Sequence, residues 1–336
     1  MQISKRKMLR QIKRCISKVL CWFRSKTVES TPAKRDVEAA TFNKDGSNED
    51  TGRHPWTFEV SWDVVSNVAD MVTIRGDKNI LVGPHRPERV GNEVVESEFP
   101  PGSPLALAVQ TAREKELKVI TGKWLVDGQP PAILFDVESA RSRFGDDDIE
   151  RFKKDQGIDI PDNDQETTDA ILFGYMVADF LTEFELQHRS KSVTTNSTTP
   201  PSLSGTSISQ NKLSSVKLDT PNSLNSNPGQ TSSTIGEETC AVFHDWKCGI
   251  GLILLHRWQI PVATVFVLKT SQLQGSFKSE KLASGEARAL GIYHRLCIER
   301  GAALASDVFS CVTEVVAEQA ELVLEKHPDY VIVQDE

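Results

Sequence analysis

The feature that most constrains the fold is a regular alternation of short apolar strands and helices in the last third of the chain. Apolar segments at Cys240–Phe243, Pro261–Leu268 and Asp307–Val312 have the length and composition of buried strands, and helical segments separate them. Strands that alternate with helices of this length form βαβ units, in which successive strands are parallel and helices cover the sheet. The sequence therefore predicts an α/β fold with a mostly parallel sheet and helices on both faces.

An earlier segment, residues 56–187, has the same character. Its residues 56–65 alternate as in a half-buried strand, and two apolar runs (79–83 and 132–137) are typical of buried parallel strands. Residues 105–117 and 168–186 have helical periodicity. Between the two ordered segments, residues 188–239 are rich in Ser, Thr, Asn and Pro, which predicts a disordered insert. We expect residues 56–187 and 240–334 to form one domain, and the insert to be a spacer or a site of phosphorylation.

The net charge of −8 is distributed unevenly along the chain. Residues 1–26 carry nine Lys and Arg and no acid, which leaves −17 for the other 310 residues. Because nucleic acid phosphates require clustered cations, such an acidic body excludes nucleic acid as the main partner. The basic segment 1–26 has helical apolar spacing, and residues 27–55 are a polar linker. Segment 1–26 is either a basic tail, a contact with an anionic membrane surface, or a mitochondrial presequence.

The six cysteines bear on the compartment of the protein. They contain no CxxC pair and no metal-ligand spacing, and three of them stand in apolar segments. This usage is typical of a reducing compartment. We expect a cytoplasmic protein, with a mitochondrial or membrane-peripheral location as the alternative that residues 1–26 leave open.

Several motifs, in a fixed order, carry a family resemblance. Residues 58–64 are similar to FEVAWEV, 80–84 to FLIGP, 122–128 and 133–136 to GRWLIEG and VLFD, and 169–174 to DMLIFG. Residues 243–252 are similar to FHEWQAGIGL, and residues 292–300 to IYHRYCMER. Together these motifs resemble the N-terminal domain of the glycogen (starch) synthases of eukaryotes. The resemblance implies the Rossmann-like first half of a GT-B glycosyltransferase. The family transfers glucose from UDP-glucose to an α-1,4-glucan and uses no cofactor.

The resemblance points to one site residue and several departures from the family pattern. His244 matches the family histidine that contacts the donor sugar; the alternative is a structural histidine bonded to backbone. In the loop after the first strand, Asn67, Ala69 and Asp70 stand where the family has a cation and two glycines. Glycine lets backbone N–H groups approach a diphosphate, and the Asp70 carboxylate would repel it. Lys269 replaces a histidine that faces the family's active-site cleft.

These departures predict a glycogen synthase-like protein that is truncated or catalytically deficient. The family's second domain supplies paired glutamates and cations that stabilise the leaving diphosphate, and this chain resembles only the first domain. One alternative is an active UDP-glucose glucosyltransferase completed by a second half outside this chain. Another is a membrane-surface adaptor or scaffold. We expect an oligomer, or a partner such as a glucan or a full-length synthase subunit, because the cleft face of a single domain would be exposed.

Two other charged groups have structural explanations. His294, Arg295, Glu299 and Arg300 share a predicted helix, and we expect them to form ion pairs between domains or subunits rather than to act in catalysis. Asp146, Asp147 and Asp148 are interpreted as a solvated charge run and not as a metal site.

Overall fold

The computed structural model describes residues 56–63, 78–87, 94–125, 129–194, 239–273 and 279–331. Their strands form one sheet in the order β3-β4-β5-β2-β1-β6-β7-β8-β9. The strands are β1 (Trp56–Ser61), β2 (Asn79–Pro84), β3 (Val94–Glu96), β4 (Val119–Trp124), β5 (Pro131–Phe135), β6 (Thr239–His244), β7 (Ala263–Leu268), β8 (Val308–Cys311) and β9 (Tyr330–Val331). Among these described strands only β4 runs antiparallel to the others, so the prediction of a mostly parallel sheet is confirmed.

The described helices alternate with these strands. They are α1 (Pro104–Glu114), α2 (Asp146–Gln156), α3 (Gln165–Thr194), α4 (Asp245–Arg257), α5 (Glu280–Ala289), α6 (Tyr293–Ala305) and α7 (Glu314–Leu324), with a short 3-10 helix at Val137–Ser142. Local chemistry sets several of their ends. The Ser103 hydroxyl caps α1 by accepting from the Ala106 N–H at 3.1 Å, and Gly157 ends α2 in a left-handed conformation with φ 63°. No helix in these ranges is long and apolar enough to cross a membrane.

The main apolar core lies between one face of the sheet and the described helices. Strand side chains such as Phe58, Phe243 and Phe266 point to this face, where they meet residues of all seven helices. Two smaller clusters, made of strand residues, lie on the opposite face. The prediction of helices on both faces is therefore tested for one face only, because helices on the other face would lie outside the described residues.

Helix α3 crosses the sheet in close contact with α4. Its residues 170–178 are all buried, because α3 packs against the sheet and against both α1 and α4. A Cβ at Gly174 would lie 2.5 Å from Ile250 Cγ2, so glycine is required where the two helices touch. Helix α3 continues to Thr194, past the predicted boundary at residue 187, and residues 195–238 of the predicted insert lie outside the described part.

Two further expectations need correction. The strand at 56–65 was predicted to be half-buried, but β1 is central and all of its residues except Trp56 are buried. The pair β3–β4 was not predicted, because Gly122 weakens the strand pattern of β4. The structure explains that glycine, since a Cβ there would lie 2.5 Å from the Val95 carbonyl oxygen on β3. Segments 1–26 and 27–55 lie outside the described residues.

Candidate functional site

The strand order creates a crevice between β1 and β6. From β1 the chain continues to β2 and β5 on one side, whereas from β6 it continues to β7, β8 and β9 on the other. In open parallel sheets, ligands bind outside the carboxyl ends of the strands at such a reversal point. Ser61, the last residue of β1, is paired with His244, the last residue of β6. The sheet therefore places His244 at the edge where a ligand is expected.

His244 forms a buried pair with Glu59 of β1. Its ring Nε2 lies 3.0 Å from Glu59 Oε2, and both side chains are only 1% exposed. Within the described ranges, the second ring nitrogen, Nδ1, has no hydrogen-bond partner. A buried polar atom without a partner is costly, and such atoms are rare in folded proteins. The Glu59–His244 pair thus leaves one buried hydrogen-bonding position open at the carboxyl edge.

The turn after His244 is held in an uncommon conformation. Asp245 has φ 62°, in the left-handed region that residues other than glycine seldom adopt. Its carboxylate Oδ1 accepts a hydrogen bond from the Lys269 backbone N–H at 3.0 Å. The strained turn of β6 is therefore tied to the end of β7, and strain of this kind is concentrated at functional sites. Lys269 itself is half-buried at the same edge.

Next to this turn, cations and indole rings alternate. Lys247 Nζ lies 5.3 Å from the ring centroid of Trp62 and 5.9 Å from that of Trp246, and the Arg295 guanidinium lies 5.1 Å from the centroid of Trp246. Glu166 neutralises both cations, at 2.6 Å from Lys247 Nζ and 2.6 Å from Arg295 Nη1. The stack fixes Trp62, the residue that follows β1, against helices α4 and α6.

Asp164 completes this group of charges. It accepts two hydrogen bonds from Arg295 (2.8 and 3.1 Å), one from His294 Nε2 (2.6 Å), and two from Thr167 that cap α3. Burial alone would raise the pKa of Asp164, but the hydrogen bonds from Arg295, Thr167 and His294 hold it well below its usual range. We call Asp164, Glu166, Lys247, His294 and Arg295 the Asp164 cluster.

Glu299 is a second kind of buried carboxyl group. It is fully buried, accepts from the Ser271 hydroxyl at 3.0 Å, and its Oε1 has no partner within the described ranges. Burial raises the pKa of Glu299 to about 8, against the lowering effect of hydrogen bonds from Ser271 and the Gln272 backbone. At neutral pH this side chain is therefore mostly protonated.

With this geometry established, comparison with known proteins identifies the family. A sequence model described as glycogen synthase matches residues 61–218 and 227–335. The chain belongs to the glycogen synthase family.

Three curated relatives show how much of the family pattern the chain covers. It is 28% identical to the glycogen [starch] synthase of Neurospora crassa over 296 residues, which is 82% of this chain and 35% of that protein. It is 26% identical to the liver glycogen [starch] synthase of Mus musculus over 299 residues, again 82% and 35%. It is 31% identical to the glycogen [starch] synthase isoform 2 of Saccharomyces cerevisiae over 244 residues, which is 68% of this chain and 27% of that protein. The chain thus spans about a third of the length of these relatives.

Within this glycogen synthase domain, the structure brings together only some of the predicted site residues. His244 and Lys269 both lie at the carboxyl edge: His244 is the last residue of β6, and Lys269 directly follows the neighbouring strand β7. Asn67, Ala69 and Asp70 lie outside the described residues, so the degenerate donor loop stays a prediction. Asp146, Asp147 and Asp148 form the first turn of α2, where carboxylates stabilise the helix N-terminus.

The α6 side chains do not match the expectation of a network between domains. His294 and Arg295 bond to Asp164, and Arg300 donates to the Val323 carbonyl at 2.7 Å and pairs with Glu280 at 3.0 Å. These contacts hold one domain of the glycogen synthase fold together. They form inside the domain because α6 packs between α4 and α5, where its charges face carboxylates of the same chain.

Sequence reasoning missed Glu59 and Asp245. A half-buried strand at residues 56–65 would expose Glu59 on its polar face, whereas the central position of β1 buries both of its faces. Asp245 could have been noticed from its position, because it stands directly between strand β6 and the first turn of helix α4. The position of β1 in the sheet, rather than its pattern, gives Glu59 its significance.

Proposed function

We propose that this chain acts as a nucleotide-sugar-binding domain of the glycogen synthase family, with UDP-glucose as its ligand. The observation that carries the proposal is His244, which is buried at the reversal point of the sheet and has an unpartnered Nδ1 within the described residues. A structural histidine satisfied by backbone would have both nitrogens bonded. Instead, only Nε2 has a partner, the Glu59 carboxylate. This arrangement favours a ligand-contacting role.

We further propose that the chain binds the donor without transferring glucose efficiently by itself. Lys269 occupies the family's cleft histidine position, and Asp70 would oppose a diphosphate in the donor loop. Transfer also requires stabilisation of the negative charge that develops on the leaving UDP. The alternative is an active glucosyltransferase whose remaining groups come from a second half, and it predicts activity when such a half is supplied.

Calorimetric titration of the full chain with UDP-glucose and with UDP tests the proposal. We expect dissociation constants of roughly millimolar or tighter, and the His244→Ala variant to bind UDP-glucose about tenfold more weakly. His256→Ala is the matched control, because His256 is exposed at the far end of α4 and its loss should not change affinity. Absence of heat with both ligands would refute nucleotide-sugar binding.

An assay of labelled glucose transfer to glycogen tests the second part. The chain alone should show no transfer above background. Robust transfer by the purified chain would disprove the deficiency. A Lys269→His variant that gained transfer would identify Lys269 as its cause.

We also propose a cytoplasmic location and association with a glucan or with a full-length synthase subunit. Support for the compartment comes from Cys248, Cys297 and Cys311, which form no disulfide within the described part of the chain. Support for the partners comes from family membership alone. Co-sedimentation with glycogen and co-purification with a synthase test the two partners separately, and a chain that remains alone in both would refute them.

A further inference from the structure

Glu59 is placed to control the chemistry of His244. Glu59 lies on β1 two residues before Ser61, the strand partner of His244, so its carboxylate reaches His244 diagonally across two central strands. The contact joins Oε2 to Nε2 at 3.0 Å, and neither side chain is more than 1% exposed. The rigid sheet fixes both backbones. The ring is therefore held with Nε2 toward Glu59 and Nδ1 turned away from it.

The contact with Glu59 determines where the neutral ring carries its hydrogen. A neutral imidazole has one N–H group and one acceptor nitrogen, and within the described ranges only Nε2 has a partner. A carboxylate accepts hydrogen bonds, so the single ring hydrogen lies on Nε2. Nδ1 is then left with a lone pair.

We propose that Glu59 is a positioning residue that sets the tautomer of His244, so that Nδ1 accepts a hydrogen bond from a hydroxyl group of the donor sugar. A lone pair cannot bond a diphosphate oxygen, which is itself an acceptor. The Glu59–His244 pair therefore recognises the sugar part of the ligand, and its loss should affect UDP-glucose and not UDP. This inference rests on the proposed nucleotide-sugar binding.

The free protein provides the first test, through nitrogen NMR of the full chain with ¹⁵N-labelled histidine rings. Of the seven histidines, the signals of His244 are those that vanish in His244→Ala. We expect a protonated Nε2 and an unprotonated Nδ1 at neutral pH, and a shift of Nδ1 on addition of UDP-glucose. A hydrogen on Nδ1 in the free wild-type chain would overturn the inference. This measurement needs no variant of Glu59 to fold.

Glu59→Gln provides the second test. The amide can donate to Nε2 as well as accept from it, so we expect part of the ring population to move its hydrogen to Nδ1. UDP-glucose affinity should fall about five- to tenfold, while UDP affinity should stay within about twofold. An unchanged tautomer with unchanged UDP-glucose affinity would overturn the role of Glu59. Equal losses for both ligands would overturn the assignment of Nδ1 to the sugar.

Glu185→Gln is the matched control. Glu185 is also a buried carboxylate, and it accepts from the Thr239 hydroxyl at the opposite end of β6, 2.7 Å away. Its substitution should leave the His244 tautomer and both affinities unchanged. The two proposals fail separately: absence of UDP-glucose binding refutes the proposed function, whereas the ring spectrum of the free chain still decides whether Glu59 sets the tautomer.

Discussion

The described residues contain two largely buried histidine–carboxylate pairs, and the pairs differ in how completely their atoms are bonded. Asp164 accepts from His294, from two nitrogens of Arg295, and from the backbone and hydroxyl of Thr167. In the Glu59–His244 pair, by contrast, Nδ1 has no partner within the described ranges. The first pair satisfies its groups inside one domain. The second leaves a position that a ligand hydroxyl can fill.

This difference separates stabilisation from recognition. A fully bonded polar cluster orders the elements it joins, here the start of α3 with α4 and α6. An incompletely bonded buried atom weakens the free protein, and a ligand group that completes its bonding is one explanation for its presence. We therefore expect two pairs of the same chemical type to have different roles, and substitutions in them to affect different measurements.

The largest effect is expected at Asp164. Asp164→Ala removes the cap of α3 and leaves His294 and Arg295 without their carboxylate, so we expect a loss of about 3–5 kcal/mol in the free energy of unfolding. Urea denaturation followed by circular dichroism measures it. Asp162→Ala is the control, because Asp162 is fully exposed and 3.9 Å from its nearest cation. A stable Asp164→Ala variant that no longer binds UDP-glucose would show that Asp164 acts in ligand binding rather than in stabilising the fold.

Glu299 is a third buried carboxyl group, and fewer hydrogen-bond donors reach it than reach Asp164. Asp164 has five donors and stays ionised, whereas Glu299 has two, and burial raises its pKa to about 8. Because this pKa is above the unfolded value of 4.5, the stability contribution of Glu299 is full below pH 4.5 and is lost as pH rises through about 8. Glu299→Gln should remove that dependence.

At pH 7 we expect Glu299→Gln to be more stable than the wild-type chain by roughly 2–3 kcal/mol, and the two to be equal near pH 4. Thermal unfolding across pH 4–9 measures the difference. Glu318→Gln on α7, where the carboxylate is exposed, serves as the control. A wild-type chain whose stability does not fall between pH 5 and 8 would show that Glu299 is ionised and fully bonded like Asp164.

The sequence predicted the elements of this fold better than its site. Apolar runs at β2, β5, β6, β7 and β8 indicate buried strands directly, because burial on both faces requires continuous apolar character. Family motifs indicated His244. Glu59 could not be recognised in the same way, since only the sheet order reveals that β1 is central and that its polar face is buried.

The Asp164 cluster was hidden from the sequence for a related reason. Asp164 and His294 are 130 residues apart, and no local pattern links a helix cap to a histidine on another helix. Helix patterns did place His294 and Arg295 on one helix. Their partner became visible only when packing brought the start of α3 beside α6.

The smallest effect is expected at Lys247, which stands where the family motif FHEWQAGIGL has glutamine. Lys247→Gln removes the ion pair with Glu166 and the contact with the Trp62 ring, so we expect a loss of about 0.5–1 kcal/mol in stability. UDP-glucose affinity should stay within about twofold, because Lys247 belongs to the bonded cluster. Lys118→Gln, which removes an exposed pair with Asp136, is the matched control. A change of more than about fivefold in affinity would place Lys247 in the ligand site and would mean that the two regions act as one.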